Sequence, residues 1–180
     1  MHNEITFKEI RLEELYADML SDFNRYQYVN NDWYPDKNGG YCLVYQPHAE
    51  NWDDARKREI VNELRSALGN GGKLFGAYAS EKLIGFSCID GVLLGNEKQY
   101  LELTWFHVSY EYRGKKIGKK LFNMCVEVAK QYSCRKLYIV ASSSEESQKA
   151  YHKLGCVYAK EYIPHLYKQR PTDVHMEYSL

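Results

Sequence analysis

At 180 residues the sequence has the length of one domain, 1–180, able to bury roughly 70% of its unfolded surface without help from disulfides or metal. Lys and Arg number 24 and Asp and Glu also 24, which removes the global field that would hold DNA, RNA or an anionic membrane, so neither nucleic acid nor membrane is an expected partner. The five cysteines (Cys42, Cys88, Cys125, Cys134 and Cys156) lack C-x-x-C or zinc-type spacing, read as reduced thiols of a cytoplasmic protein and give no metal site. MHNEITFKEI has no basic-then-apolar leader pattern.

Ile5, Phe7 and Ile10 alternate along residues 3–10 and predict a first strand. Leu12, Leu15, Tyr16, Met19, Leu20 and Phe23 then recur at three and four, the spacing of an amphipathic helix. From Tyr26 to Asn51 the periodicity stops. Asn, Asp, Gly and Pro gather there among Trp33, Tyr34, Tyr41 and Tyr45, which reads as a long aromatic loop suited to cover a substrate pocket. A second helix starts near Asp53, capped by Asn51 or Asp53, and buries Ile60, Val61, Leu64 and Leu68 before Gly69-Asn70-Gly71-Gly72. Residues 73–79 and 83–91 form a hairpin around Ser80-Glu81-Lys82.

A fourth strand, about 100–109, runs into the turn Tyr112-Arg113-Gly114-Lys115-Lys116-Ile117-Gly118, which opens a helix over about 117–132. KLYIVA at 136–141 is a continuous apolar run, the mark of a strand buried on both faces and parallel to its predecessor. Ser142-Ser143-Ser144 lead into the helix EESQKAYHKL, stopped by Gly155. Strands at 156–162 and 174–180 flank a loop from His165 to Asp173. The order β-α-α-β-β-β-α-β-α-β-β is that of an α/β (α+β) domain with a mixed sheet of about seven strands.

The segment from Tyr100 to Leu121 is where chemistry is expected. The first N–H groups of a helix have no intrahelical partner and sit at the positive end of its dipole, so a strand, a small-residue basic loop and a helix start together make a cradle for phosphate or pyrophosphate. The plainer alternative is a solvated basic turn with lysines on a helix surface.

The element order, with VSYEYRGKKIGKKL after the fourth strand and AYHKLGC ending the last helix, resembles the GNAT superfamily of acyl-CoA-dependent N-acetyltransferases over essentially the whole chain. The family signature is Arg/Gln-x-x-Gly-x-Gly/Ala. Here it reads Arg113-Gly114-Lys115-Lys116-Ile117-Gly118, with Lys116 where a glycine is usual. Ser143 to Cys156, Ala159-Lys160-Glu161, Pro171-Thr172-Asp173 and Glu177-Tyr178 look like segments of a group of uncharacterised bacterial members.

The resemblance implies a sheet splayed between strands 4 and 5 and acetyl-CoA as cosubstrate. Amides of Arg113, Gly114, Lys115, Lys116, Ile117, Gly118 and Lys119 would take the coenzyme A pyrophosphate. Phe106, His107 and Val108 would pair with pantetheine, one N–H polarising the thioester oxygen. An alkyl amine has a pKa of roughly 10.4, so a base is needed at neutral pH. Glu102 is the first candidate and His107 the other; their ordinary alternatives are an ion-pair partner and a hydrogen-bonded structural residue. Tyr151 stands where family members donate a proton or hydrogen bond to the coenzyme sulfur, or else it is a core tyrosine. Ser144 stands where many hold pantetheine with asparagine. The implied activity is direct transfer of acetyl to a primary amine. A small molecule is favoured as acceptor by the aromatic loop and neutral charge; the alternatives are a protein lysine or N-terminal acetyltransferase and a non-catalytic acyl-CoA-binding module. Edge strands near the carboxyl terminus suit a homodimer.

Overall fold

In the computed structural model, residues 4–36 and 40–180 are described; Asn3 of the expected first strand and residues 37–39 of the expected loop lie outside the described residues. The elements are β1 (Ile5–Ile10), β2 (Gln27–Pro35), β3 (Tyr41–Glu50), α1 (Asp54–Gly69), β4 (Lys73–Ala79), β5 (Lys82–Leu94), β6 (Tyr100–Val108), α2 (Ile117–Ala129), β7 (Lys136–Ala141), α3 (Glu145–Leu154), β8 (Val157–Tyr158), α4 (Pro164–Gln169) and β9 (Val174–Ser179). Seven strands form one mixed sheet in the order β1-β4-β5-β6-β7-β9-β8, and β2 pairs with β3 separately. Among the described residues only the β6–β7 pair is parallel.

Each face of the sheet is covered by one long helix. The Asp53 side chain accepts from the Arg56 N–H at 2.7 Å and caps α1. The helix buries Ile60, Val61, Leu64 and Ala67 against Leu74, Phe86 and Cys88. On the other face, α2 buries Ile117, Leu121, Phe122, Cys125, Val126 and Ala129 against Ile84, Leu101 and Ile139. Each fully buried aliphatic or aromatic side chain contributes roughly 1.5–3 kcal/mol. No helix among the described residues is long and apolar enough to cross a membrane.

Four expectations are corrected. In place of the first helix, a single 3-10 turn at Leu12–Glu14 ends in an extended Leu15 (φ −80°, ψ 121°). Met19, Ser21 and Phe23 then donate three residues back, to Tyr16, Asp18 and Leu20. Successive tight turns deliver the same three-and-four stripe, and Leu15, Met19, Leu20 and Phe23 are buried without a helix. The aromatic loop is the hairpin β2–β3. Several of its turn formers, Asn30, Asn31, Asp32 and Pro35, are strand residues of β2, and at the tip the Asp36 N–H donates to the Gly40 carbonyl at 2.9 Å. The loop from His165 to Asp173 contains α4, begun by Pro164 in the first turn, where its missing N–H costs nothing. The strand expected over 156–162 shrinks to Val157–Tyr158.

The feature that positions the site is the short parallel contact. β6 and β7 pair only at Tyr100, Leu101 and Glu102, opposite Lys136, Leu137 and Tyr138. Beyond Glu102 the register of β6 with β5 slips: Leu103 faces Ile89 and Trp105 faces Cys88, so Thr104 is the extra residue of a bulge. Its hydroxyl donates to the Cys88 carbonyl at 3.2 Å. The bulge turns the rest of β6 away from β7 and opens a wedge between them, the expected splay.

Candidate active site

The wedge holds a cavity of about 600 Å³, walled by β6, the Tyr112–Lys119 loop, the end of β7 and α3. Phe106, His107, Val108, Arg113, Gly114, Lys116, Ile117, Gly118, Lys119 and Tyr151 all line it.

At one end is the start of α2. The first bond of the helix is from the Lys120 N–H to the Lys116 carbonyl, at 3.2 Å, so the amides of Ile117, Gly118 and Lys119 have no intrahelical acceptor. No side chain caps them. Gly114 (φ 76°) and Lys116 (φ 63°) both adopt left-handed backbone. Lys116 therefore takes the conformation a glycine would take freely, at a cost of roughly 1–2 kcal/mol. Gly118 serves packing: a Cβ there would stand 3.2 Å from Phe106 Cζ, so its absence lets the first turn close on β6. Lys116 and Lys119 add positive charge to the same rim. Lys115 does not line the wedge. Its ammonium lies 4.9 Å from the Tyr112 ring, beside a separate cavity of about 410 Å³.

The Arg113 side chain is turned inward. Its Nε donates to the Val108 carbonyl at 3.0 Å and its Nη2 to the Arg25 carbonyl at 3.2 Å. These bonds tie the end of β6 to the segment before the hairpin. Burial, and then the charge of Arg25, lower its pKa.

His107 is packed edge-on against Trp52, with ring centroids 4.7 Å apart, and against Phe86 and Trp105. Burial, and the charges of Arg25 and Arg113, hold its pKa well below the ordinary histidine value, so the ring is neutral at pH 7. Tyr151, 9% exposed, meets the Phe106 ring at 5.7 Å. Burial pushes its pKa up, keeping the phenol protonated. Its hydroxyl has no hydrogen-bond partner among the described residues, so it is a free donor facing the wedge.

Besides Lys115, two predicted residues lie elsewhere. Ser144 is fully buried and does not line the cavity. Its hydroxyl accepts from the Ser147 N–H at 3.3 Å, capping α3, and from Gln27 Nε2 at 2.9 Å. Both roles are structural, and Ser142 and Ser147 face the wedge instead. Glu102 points behind β6 into a second cavity of about 380 Å³. Arg170 Nη2 donates to its Oε1 at 3.0 Å. Burial raises its pKa and Arg170 lowers it, with burial the larger effect.

The sequence reading missed Arg25, Gln27, Arg170 and Asp173, which also line the wedge. Arg25 donates to Gln27 Oε1 at 3.0 Å and to Glu50 Oε2 at 3.1 Å. Gln27 belongs to the hairpin, which is docked on the β7–α3 connection by the Trp33 N–H donating to the Ser143 carbonyl at 2.8 Å. No spacing links these residues. The one available signal was the Pro171-Thr172-Asp173 segment just before the last strand.

Free helix-start amides at one end and a protonated phenol along the wall suit an extended ligand with a pyrophosphate and a reacting group. The chain matches the profile of the acetyltransferase (GNAT) family over residues 12–156. Among solved structures it is similar to nourseothricin acetyltransferase, with a TM-score of 0.68 and 15% identity over 97% of this chain and 98% of that one. It is similar also to a Bacillus anthracis str. Ames protein provisionally named streptothricin acetyltransferase, solved with acetyl coenzyme A (TM-score 0.71, 16% identity, 98% and 99% covered). A third is the PaiA N-acetyltransferase of Thermoplasma acidophilum, solved with coenzyme A (TM-score 0.61, 17% identity, 98% and 99% covered). At these identities the likeness is one of fold. No protein of curated function matches the chain by sequence.

Proposed function

The chain belongs to the GNAT acetyltransferase family, and on that premise we propose that it transfers the acetyl group of acetyl-CoA to a primary amine of a small molecule by direct attack on the thioester. The observation that carries this reading is the wedge itself, which joins the free amides at the start of α2 to the unpartnered Tyr151 hydroxyl.

In this mechanism the amides from Gly114 to Lys119 hold the pyrophosphate, with Lys116 and Lys119 adding charge. The β6 edge from Phe106 to Val108, unpaired on its β7 side, offers main-chain groups to the pantetheine amides. One of its N–H groups is available to stabilise the oxyanion that develops on the acetyl carbonyl, commonly a large contribution to acyl transfer. Tyr151 supplies a proton to the departing sulfur.

The cavity of about 600 Å³ lies in the range of small-molecule and cofactor sites, roughly 300 to 1,000 Å³, and suits acetyl-CoA itself; the small-molecule acceptor is supported by the neutral net charge and by the hairpin beside the wedge. The hairpin that replaces the expected loop keeps a role at that pocket, through Gln27 and the adjoining Arg25. The test is an acetyl-CoA consumption screen across polyamines, amino sugars, amino acids, peptides and amine-bearing antibiotics, alongside calorimetry of coenzyme A binding at low salt. Turnover confined to peptides would move the reading to a protein acceptor. Tight coenzyme binding with no turnover would move it to an acyl-CoA-binding module. A second copy of this chain is the proposed protein partner. It would pair on edge strand β8, where Val157 and Tyr158 are 52% and 43% exposed; light scattering that gives a monomer at all concentrations would remove it.

A further inference from the structure

The wedge contains a carboxylate that none of the roles above uses. β9 begins at Val174, which pairs with Ala141, the last residue of β7. That register sets Asp173 beside Ser142 at the open end of the splay, on the cavity that also receives Tyr151 and His107. Its backbone N–H donates to the Arg170 carbonyl at 3.3 Å. Its carboxylate, only partly exposed, has no hydrogen bond or ion pair among the described residues.

Three of the neighbouring acids are committed or displaced. Glu102 is held by Arg170 behind the strand. Glu50 is held by Arg25 and His48, and Glu111 accepts from Asn24 and Ser109. Glu146 also lines the wedge, but in the first turn of α3 it is exposed to solvent, whereas Asp173 is partly buried. His107, though neutral, is depressed by burial and by two arginines, which makes it a weak base.

We propose that Asp173 is the catalytic carboxylate that receives the acceptor's ammonium group and takes its proton. The inference rests on the acetyltransferase reading above. One ammonium proton passes to Asp173 Oδ, freeing the lone pair that forms the N–C bond with the acetyl carbonyl. As the C–S bond breaks, sulfur takes the Tyr151 proton, and the second nitrogen proton restores the tyrosine through solvent. Burial raises the Asp173 pKa, Arg170 draws it down and Glu50 raises it further; Arg25, Arg113, Lys116, Lys119, Glu146 and Lys153 are the other charged groups on the same cavity. The outcome is above the ordinary aspartate value, closer to the working pH, where a general base is most effective.

The experiment compares Asp173→Asn, Asp173→Glu and Glu102→Gln on an amine that the wild-type enzyme acetylates. It reads kcat against pH, coenzyme A affinity by calorimetry, and melting temperature. Asp173→Asn is expected to lower kcat by roughly 100-fold or more and to abolish the acid limb, with coenzyme affinity and melting temperature retained. Asp173→Glu should recover part of the rate together with the limb, and Glu102→Gln should keep the limb. An Asp173→Asn enzyme within a few-fold of wild type, or with its acid limb unmoved, overturns the assignment while leaving the acetyltransferase reading intact. Failure of the wild type to acetylate any amine overturns both.

Discussion

Arg170 and Glu102 are joined across 3.0 Å on the wall that separates the wedge from the smaller cavity behind β6. The carboxylate side chain is 11% exposed and the guanidinium 38%. The pair thus presents the arginine to the wedge and withdraws the glutamate from it.

Removing the arginine leaves a buried carboxylate without its partner. Arg170→Ala should cost roughly 1–3 kcal/mol, below the cost for a fully buried pair because the arginine is half in water. The deficit should also depend on pH. Glu102 in the folded protein has a pKa raised by burial, and loss of Arg170 raises it further. Above the ordinary carboxylate range the folded variant therefore binds more protons than its unfolded chain, and its stability falls as pH rises. Urea denaturation should show the gap to wild type narrowing as pH drops through that window. A gap that is constant with pH would mean that Glu102 does not carry the effect.

Lys116→Gly separates backbone strain from charge at the anion loop. Relief of the left-handed cost, less the greater entropy of glycine in the unfolded chain, gives a gain of about 0.5 kcal/mol, or roughly 1–2 °C in Tm. Loss of one cation near the phosphates should weaken coenzyme A binding about two- to five-fold at low salt and less at high salt. Scanning calorimetry and a salt series of titrations measure the two separately. A variant that melts lower than wild type would show that the Lys116 side chain contributes more than its backbone costs.

What was legible in the sequence was local. KLYIVA becomes β7 with the boundaries expected, since one continuous apolar run carries both its ends and its burial. EESQKAYHKL likewise becomes α3, with Ser144 before it and Gly155 (φ 96°) after it. The anion loop could be read because its parts are contiguous. The hairpin could not, because β3 is exposed along most of its length and shows no alternation, while the turn formers Asn30, Asn31, Asp32 and Pro35 lie within β2 itself. The first helix failed for another reason: a three-and-four stripe reports which side chains are buried, and consecutive tight turns bury them equally well. Arg25, Gln27, Arg170 and Asp173 meet only through tertiary contact. Gln27 reaches Ser144 across 117 positions, a relationship no local pattern encodes.

Ser144 shows how a family position changes its work when the residue changes. Its hydroxyl caps α3 and accepts from Gln27, so Ser144→Ala removes a cap and orphans a half-buried amide. The expected loss is roughly 1–3 kcal/mol, or about 2–12 °C in Tm. Coenzyme A affinity should stay within about two-fold, since the hydroxyl is not on the wedge. A ten-fold loss of affinity with Tm preserved would return the residue to the pantetheine site.

Tyr151→Phe tests the opposite case, a side chain whose polar atom has no structural duty. The hydroxyl bonds to no described residue, so deletion should leave Tm within about 1 °C, in the range of a substitution that breaks no contact. The ring contact with Phe106 is kept. If the phenol protonates the departing sulfur, kcat should drop by roughly 100-fold, the usual share of a positioned general acid, while coenzyme A affinity holds. Burial raises the Tyr151 pKa, so the wild-type phenol remains a donor throughout the neutral and mildly alkaline range. Any alkaline fall in wild-type kcat below that range must then come from another group and should persist in the phenylalanine variant. Pre-steady-state measurement of the acetyl-transfer step makes the comparison direct. A rate unchanged in Tyr151→Phe would leave the sulfur to be protonated by solvent and reduce Tyr151 to a wall of the wedge.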